Sequence, residues 1–130
     1  MTHKLLNLKS DYSVLENWWK ERDMVPIPKS FLTPFGVIVG DDKPIAAAFL
    51  FPVLGCKQAM IRYPITDVNA SDKDRDEAIS LVLSSLHGLA KSMNYETILI
   101  TTNHNGFIKR LEKMNYQKDA ENCTHYLGGL

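Results

Sequence analysis

At 130 residues, 45% of them hydrophobic, the chain is long enough to bury a real core without disulfide or metal staples. Lys plus Arg (15) equals Asp plus Glu (15), and the two signs are interleaved, which excludes the basic face that nucleic-acid and anionic-membrane binding require. Cys56 and Cys123 stand far apart in no metal or redox motif, the pattern of two reduced thiols in a cytoplasmic protein. The opening Met1-Thr2-His3-Lys4-Leu5-Leu6-Asn7 is too short and polar for a signal peptide. The longest apolar run, Pro44 to Cys56, is interrupted by Pro52 and too short to span a bilayer.

In chain order, Leu5, Leu6 and Leu8 predict a short first strand. From Asp11 the pattern turns helical: Val14, Leu15, Trp18 and Trp19 share a face, with Asp11 or Ser13 as N-cap. The adjacent tryptophans read either as core anchors under a sheet or as one wall of a substrate pocket. Met24 to Pro34 carries Pro26, Pro28 and Pro34, which predicts a loop with one helical turn around Lys29 to Leu32. That loop either shapes a binding cleft or simply connects. Gly36 to Gly40 is a strand, Asp41-Asp42-Lys43 a tight turn and Pro44 to Val53 the returning strand of a hairpin. Gln58 to Asn69 is a further strand in which Pro64, lacking a ladder donor, marks a bulge or an edge. A bulge re-aims backbone amides, and a strand can then offer hydrogen bonds to a ligand.

From Ser71 the chain reads helix, strand, helix. Ile79, Val82, Leu83, Leu86, Leu89, Ala90 and Met93 keep one helical face, opposed by a polar stripe of Ser80, Ser84, His87 and Lys91. Asn94-Tyr95 ends that helix, because Asn tolerates the left-handed capping conformation. Thr97 to Thr102 is β-branched and apolar almost throughout, as expected of a strand covered on both faces. Phe107, Leu111 and Met114 return to helical spacing, Asn115-Tyr116 repeats the exit, and Cys123 to Leu127 reads as a closing strand.

This order of elements is similar to that of the GNAT superfamily of N-acetyltransferases, and the resemblance covers nearly the whole chain. It implies one α/β domain over residues 1–130, with a central mixed, mostly antiparallel sheet flanked by helices. Members of that family follow the fourth strand with Arg or Gln, two residues, Gly, one residue, then Gly or Ala. That motif opens a helix whose amides hold the pyrophosphate of acetyl-CoA; the matching stretch here is Arg75-Asp76-Glu77-Ala78-Ile79-Ser80. Asn103-His104-Asn105-Gly106-Phe107 and Leu111-Glu112-Lys113-Met114-Asn115-Tyr116 resemble the family's Asn-containing helix and its closing corner. Trp18-Trp19-Lys20-x-Arg22, the Pro-rich loop and Arg75 with Glu77-Ala78 look similar to small GNAT-like proteins carried by bacteriophages. The resemblance implies acetyl-CoA as cosubstrate and an amine as acceptor. It places cofactor contacts at Thr66, Val68, Arg75, Ala78, Ile79, Ser80 and Asn103. No nucleic acid or membrane is expected as partner, and the sheet edges suit a homodimer.

The departures from the family pattern concern the phosphate loop and the proton donor. Ala78 and Ser80 replace both glycines, and Asp72, Asp74, Asp76 and Glu77 sit where a dianionic pyrophosphate would dock. On one account the helix caps itself, with Ser71 and Asp74 as a capping box and the acids satisfying its dipole. On the other, Lys73 and Arg75 offset outward-facing acids and the amides stay open. Many family members carry, in the last helix, a Tyr that reprotonates the departing thiolate; the aligned residue here is Leu111, which donates no proton.

Acetyl transfer needs a polarised carbonyl and a neutral amine held in line. The polarising group is expected to be a backbone amide near Thr66 to Val68. Asp67 and His104 are the candidate bases, against plainer readings of Asp67 as a turn carboxylate and His104 as a surface or capping residue. The four histidines have no ligand spacing, so no metal is expected. A non-catalytic GNAT-like binding, inhibitory or structural module is the alternative from another class, and an unrelated α/β binding domain a third reading.

Overall fold

In the computed structural model, which describes residues 1–130, the chain forms two compact units, Met1–Ile100 and Thr101–Leu130. In the first, strands β1 (Thr2–Leu5), β2 (Gly36–Gly40), β3 (Pro44–Phe51), β4 (Gln58–Thr66) and β5 (Thr97–Ile100) make one sheet in sequence order. The first four are antiparallel to their neighbours and β5 runs parallel to β4. A parallel neighbour requires a long crossover, and helix α2 (Asp72–Ser92) supplies it.

The first strand takes in Leu5 but not Leu6 or Leu8: Leu6 is buried just beyond it and Leu8 already begins helix α1 (Leu8–Glu21). The N-cap is Asn7, whose side chain accepts from the Lys9 amide, and not Asp11 or Ser13. Asp11 lies inside the first turn and folds back, its Oδ2 accepting from the Asn7 amide at 2.8 Å and Oδ1 from Lys4 Nζ at 3.4 Å. It is the buried charged residue of the chain, and burial is tolerable because both oxygens are paired.

Each face of the sheet has its own helix. Leu15, Trp18 and Trp19 of α1 pack with Ile38, Ala47, Phe49 and Ile65 on one face, so both tryptophans are core anchors rather than pocket walls. Residues of opposite alternation, among them Val37, Val39, Ala46, Ala48, Leu50, Ala59 and Ile61, are buried on the other face, where α2 crosses β2, β3 and β4 with Ile79, Val82, Leu83 and Leu86. The loop after α1 holds a single 3-10 turn at Lys29–Phe31, as the proline spacing predicts. At Gly40 a Cβ would meet the Lys43 carbonyl oxygen at 2.1 Å, so the β2–β3 turn closes only over glycine.

β5 differs from expectation. It ends at Ile100, it has a single strand neighbour, and Ile98, Leu99 and Ile100 are half-buried rather than covered on both faces. The reason is position: it is the last strand of the sheet.

In the second unit, helix α3 (Asn105–Lys113) follows an N-cap at His104. The expected closing strand at Cys123–Leu127 does not form; these residues pair with no strand, and Tyr126 and Leu127 are 92% and 87% exposed. A lone strand with no ladder partner buries too little to offset its ordering entropy. Cys56 and Cys123 are both free and exposed.

Candidate functional site

Where β4 outruns β5, the sheet opens. Their last pairing is Ile61 with Ile100, whereas β4 continues through Arg62, Tyr63, Pro64, Ile65 and Thr66. The register against β3 shifts here: Phe49 faces Arg62 but Ala47 faces Ile65, leaving Tyr63 and Pro64 opposite Ala48. This is the bulge anticipated at Pro64. Its strain falls on Tyr63, held at φ 57°, a conformation that costs a bulky side chain on the order of 1–3 kcal/mol.

Thr66 ends the strand and is clamped from α1. Arg22 Nη2 donates to the Thr66 carbonyl at 3.0 Å and to its hydroxyl at 2.8 Å, with Nε at 3.4 Å from the same carbonyl. Burial, followed by the nearby charge of Arg75, lowers the Arg22 pKa, while Asp67 and Glu21 oppose that shift. Two arginines therefore face the exit of β4 and the start of α2. Arg22 carried no site role in the sequence reading, and the structure brings it to Thr66. Its signal was its place two residues beyond Lys20 in the Trp18-Trp19-Lys20-x-Arg22 run.

Asp67 is half-buried. Its amide donates to the Ile45 carbonyl at 2.8 Å, and its Oδ1 accepts from the Asn69 amide at 2.9 Å and from Asn69 Nδ2 at 3.2 Å. This is an Asx turn that lifts the chain off the sheet toward α2. Val68, within that turn, is half-buried.

Helix α2 begins before its family-like motif rather than on it. Ser71 is the N-cap and its hydroxyl accepts from the Asp74 amide at 3.1 Å. Arg75 is ion-paired with Asp72 and is half-buried. Ala78 and Ile79 are buried toward the sheet, and the Ser80 hydroxyl donates to the Asp76 carbonyl at 2.9 Å. From Arg75 onward the amides bond within the helix, so its outward donors lie at Asp72 and Lys73. Thr66, Asp67, Val68 and Arg75 come together around the β4–α2 connection; Ala78, Ile79 and Ser80 lie up to two turns into the helix. Two surface depressions of this unit lie at the far end of the sheet, against β1, and include none of these residues.

In the second unit, Asn103 is exposed. His104 Nδ1 accepts from the Phe107 amide at 3.2 Å, and the His104 amide donates to the Thr102 hydroxyl at 3.1 Å. Leu111, which the resemblance aligns with the GNAT proton donor, is buried. Burial pushes the Tyr116 phenol up to about 12. No group of three or more His, Cys, Asp or Glu side chains is placed to hold a metal ion.

No family model matches the chain and no curated protein matches it in sequence. Solved structures do match. TTHA1254 from Thermus thermophilus superposes with a TM-score of 0.75 at 11% identity, covering 100% of this chain and 99% of that one. The ribosomal-protein-S18-alanine N-acetyltransferase of Escherichia coli gives 0.72 at 16% identity over 92% of this chain and 79% of that one. Rv2747 from Mycobacterium tuberculosis, solved in complex with CoA, gives 0.68 at 11% identity over 86% and 70%. The fold is therefore the GNAT acetyltransferase fold, a mixed five-stranded sheet flanked by helices. At these identities the likeness speaks for the fold alone.

Proposed function

We propose that the protein transfers the acetyl group of acetyl-CoA to an amine, with the phosphates at the start of α2 and the thioester beside the free end of β4. The observation that carries this reading is the bulged, arginine-clamped exit of β4 leading directly into a helix N-terminus. It occurs in a fold shared with an N-acetyltransferase and with a CoA complex. Arg22 and Arg75 offset phosphate charge, and the amides of Asp72 and Lys73 remain as donors.

The thioester brings an activated acyl group. The chain's part is to polarise its carbonyl with a backbone amide in the Thr66–Val68 segment, whose conformation Arg22 holds. The amine nitrogen forms the new bond to the acetyl carbon as the carbon–sulfur bond breaks. The amine proton passes to a base, and the sulfur leaves with the electron pair. Asp67 keeps Oδ2, and His104 keeps Nε2, outside the turn and cap bonds described above. Leu111 offers no proton, and burial, which pushes the Tyr116 phenol up to about 12, makes it a poorer acid than an ordinary phenol. The thiolate then leaves unassisted, which slows transfer without forbidding it. Balanced charge and two free thiols suit a cytoplasmic setting, and no helix is long and apolar enough to cross a membrane.

A second reading, a non-catalytic binding module on the same fold, is favoured by one feature. Ser71 engages the Asp74 amide and Asp72 engages Arg75, so the helix N-terminus is partly self-satisfied. Calorimetric titration of acetyl-CoA and CoA, at low and moderate salt, separates the two. Micromolar binding that weakens with salt is expected. No binding at millimolar cosubstrate would overturn the enzyme reading and direct the search to protein partners.

A further inference from the structure

On the face of the sheet opposite α2, the open end of β4 carries a group that the acetyl-transfer scheme above leaves unused. Arg62 is half-buried, and its guanidinium carbon lies 4.7 Å from the Tyr63 ring centroid and 5.4 Å from that of Phe51. The two rings meet edge-on, 5.8 Å apart at 67°, so the guanidinium sits in the corner they form. It makes no ion pair and no hydrogen bond to the protein, and the Tyr63 hydroxyl likewise has no protein partner. Register puts Met60 and, across the parallel ladder, Leu99 on this same face, both half-buried. An apolar shelf thus ends in a cation restrained by two rings, with donors that no protein group takes up.

The strained backbone makes this corner more than an ordinary surface arginine. The left-handed conformation of Tyr63 turns its ring onto the α1 face beside Arg62, where regular alternation would have sent it through to the α2 face. Two ring contacts restrain the guanidinium while its N–H groups have no protein partner, and a guanidinium fork suits a planar carboxylate.

We infer that the Arg62–Tyr63–Phe51 corner binds the carboxylate of the acetyl acceptor, so that the acceptor is a small amine carrying a carboxylate, such as an amino acid. This rests on the acetyl-transfer reading. With the phosphates on the α2 side, the acceptor has the opposite face by which to approach the thioester. Thr66 lies roughly 10–13 Å further along the strand from Arg62, the distance that the carboxylate contact, a small amino acid and the acetyl group would together have to cover. A lysine side chain or a chain N-terminus within a protein lacks the free α-carboxylate that a small amino acid carries beside its amine.

The test uses the full chain without CoA. N-acetylated amino acids and their carboxamide counterparts are screened by ligand-observed NMR, and affinities of hits are measured by titration. At least one carboxylate is expected to bind about tenfold or more tightly than its amide. Arg62→Gln should erase that preference and Arg62→Lys restore part of it, with melting curves confirming that the variants fold. Equal binding of acid and amide, a preference that survives Arg62→Gln, or no binding by any member of the set each overturns the assignment. The calorimetric CoA titration runs alongside: intact CoA binding with no carboxylate preference sinks this inference alone, whereas absent CoA binding sinks the transferase reading beneath it.

Discussion

His104 shows how one side chain can be a candidate base and a structural cap at once. Its Nδ1 closes the first turn of α3 by accepting from the Phe107 amide, a position where Ser, Thr, Asp and Asn are the usual residues. Asp67 does the equivalent for the turn after β4 through Asn69. Capping and base roles separate by substitution, since a hydroxyl caps a helix but does not take a proton from an amine. His104→Ala should cost α3 about 0.5–2 kcal/mol, seen as faster amide exchange across the helix, and His104→Ser should recover most of it. If acetyl transfer then persists in the serine variant, His104 is a cap and the base lies elsewhere; lost turnover with a protected helix makes it the base.

At the level of elements, the sequence was most readable where local chemistry decides. All three helices end in the same motif: left-handed Asp23, Asn94 and Asn115, with the following amides of Met24, Tyr95 and Tyr116 bonding back to Trp19, Ala90 and Leu111. Both Asn exits are legible because few other residues tolerate that conformation. The start of α1 was not, because Asp11 and Asn7 are both good caps and only the fold of the chain back onto Lys4 selects between them. The start of α2 was legible at Ser71, but its consequence for ligand binding needed the helix register, which carries Ala78 and Ser80 past the open amides. Stability and binding should therefore pull apart at this terminus. Asp72→Asn with Asp74→Asn removes two favourable dipole contacts, about 0.3–1 kcal/mol each, so the melting temperature should fall. The same change frees Arg75 and removes like charge from the proposed phosphate site, so CoA should bind several-fold more tightly. Weaker or unchanged CoA binding in a folded double variant would place the phosphates away from α2.

For the chain as a whole, most helices and strands were legible from hydrophobic period, while their order in the sheet, the face each helix covers and the properties set by absent neighbours were not. β5 has the composition of a fully covered strand yet is the sheet's edge, and Cys123–Leu127 has strand composition yet no ladder. Period reports what a segment can bury, not whether a partner arrives to bury it. The Arg62 corner was hidden for the same reason, since Phe51 comes from β3 and reaches Arg62 only through the register of the sheet. One global property does follow from a single buried group. His87, on α2, is half-buried, and that burial lowers its pKa below 6.5. The unfolded chain therefore takes up a proton at this site before the folded one does. Stability is present in full above the unfolded value and is lost as pH falls from there through the lower folded value. With a formal net charge of zero, little general repulsion competes with this near neutrality. Melting temperature should accordingly drop between pH 7 and pH 5, and His87→Gln should flatten that drop. An equal drop in the glutamine variant would mean that other groups set the acid sensitivity of the Met1–Ile100 unit.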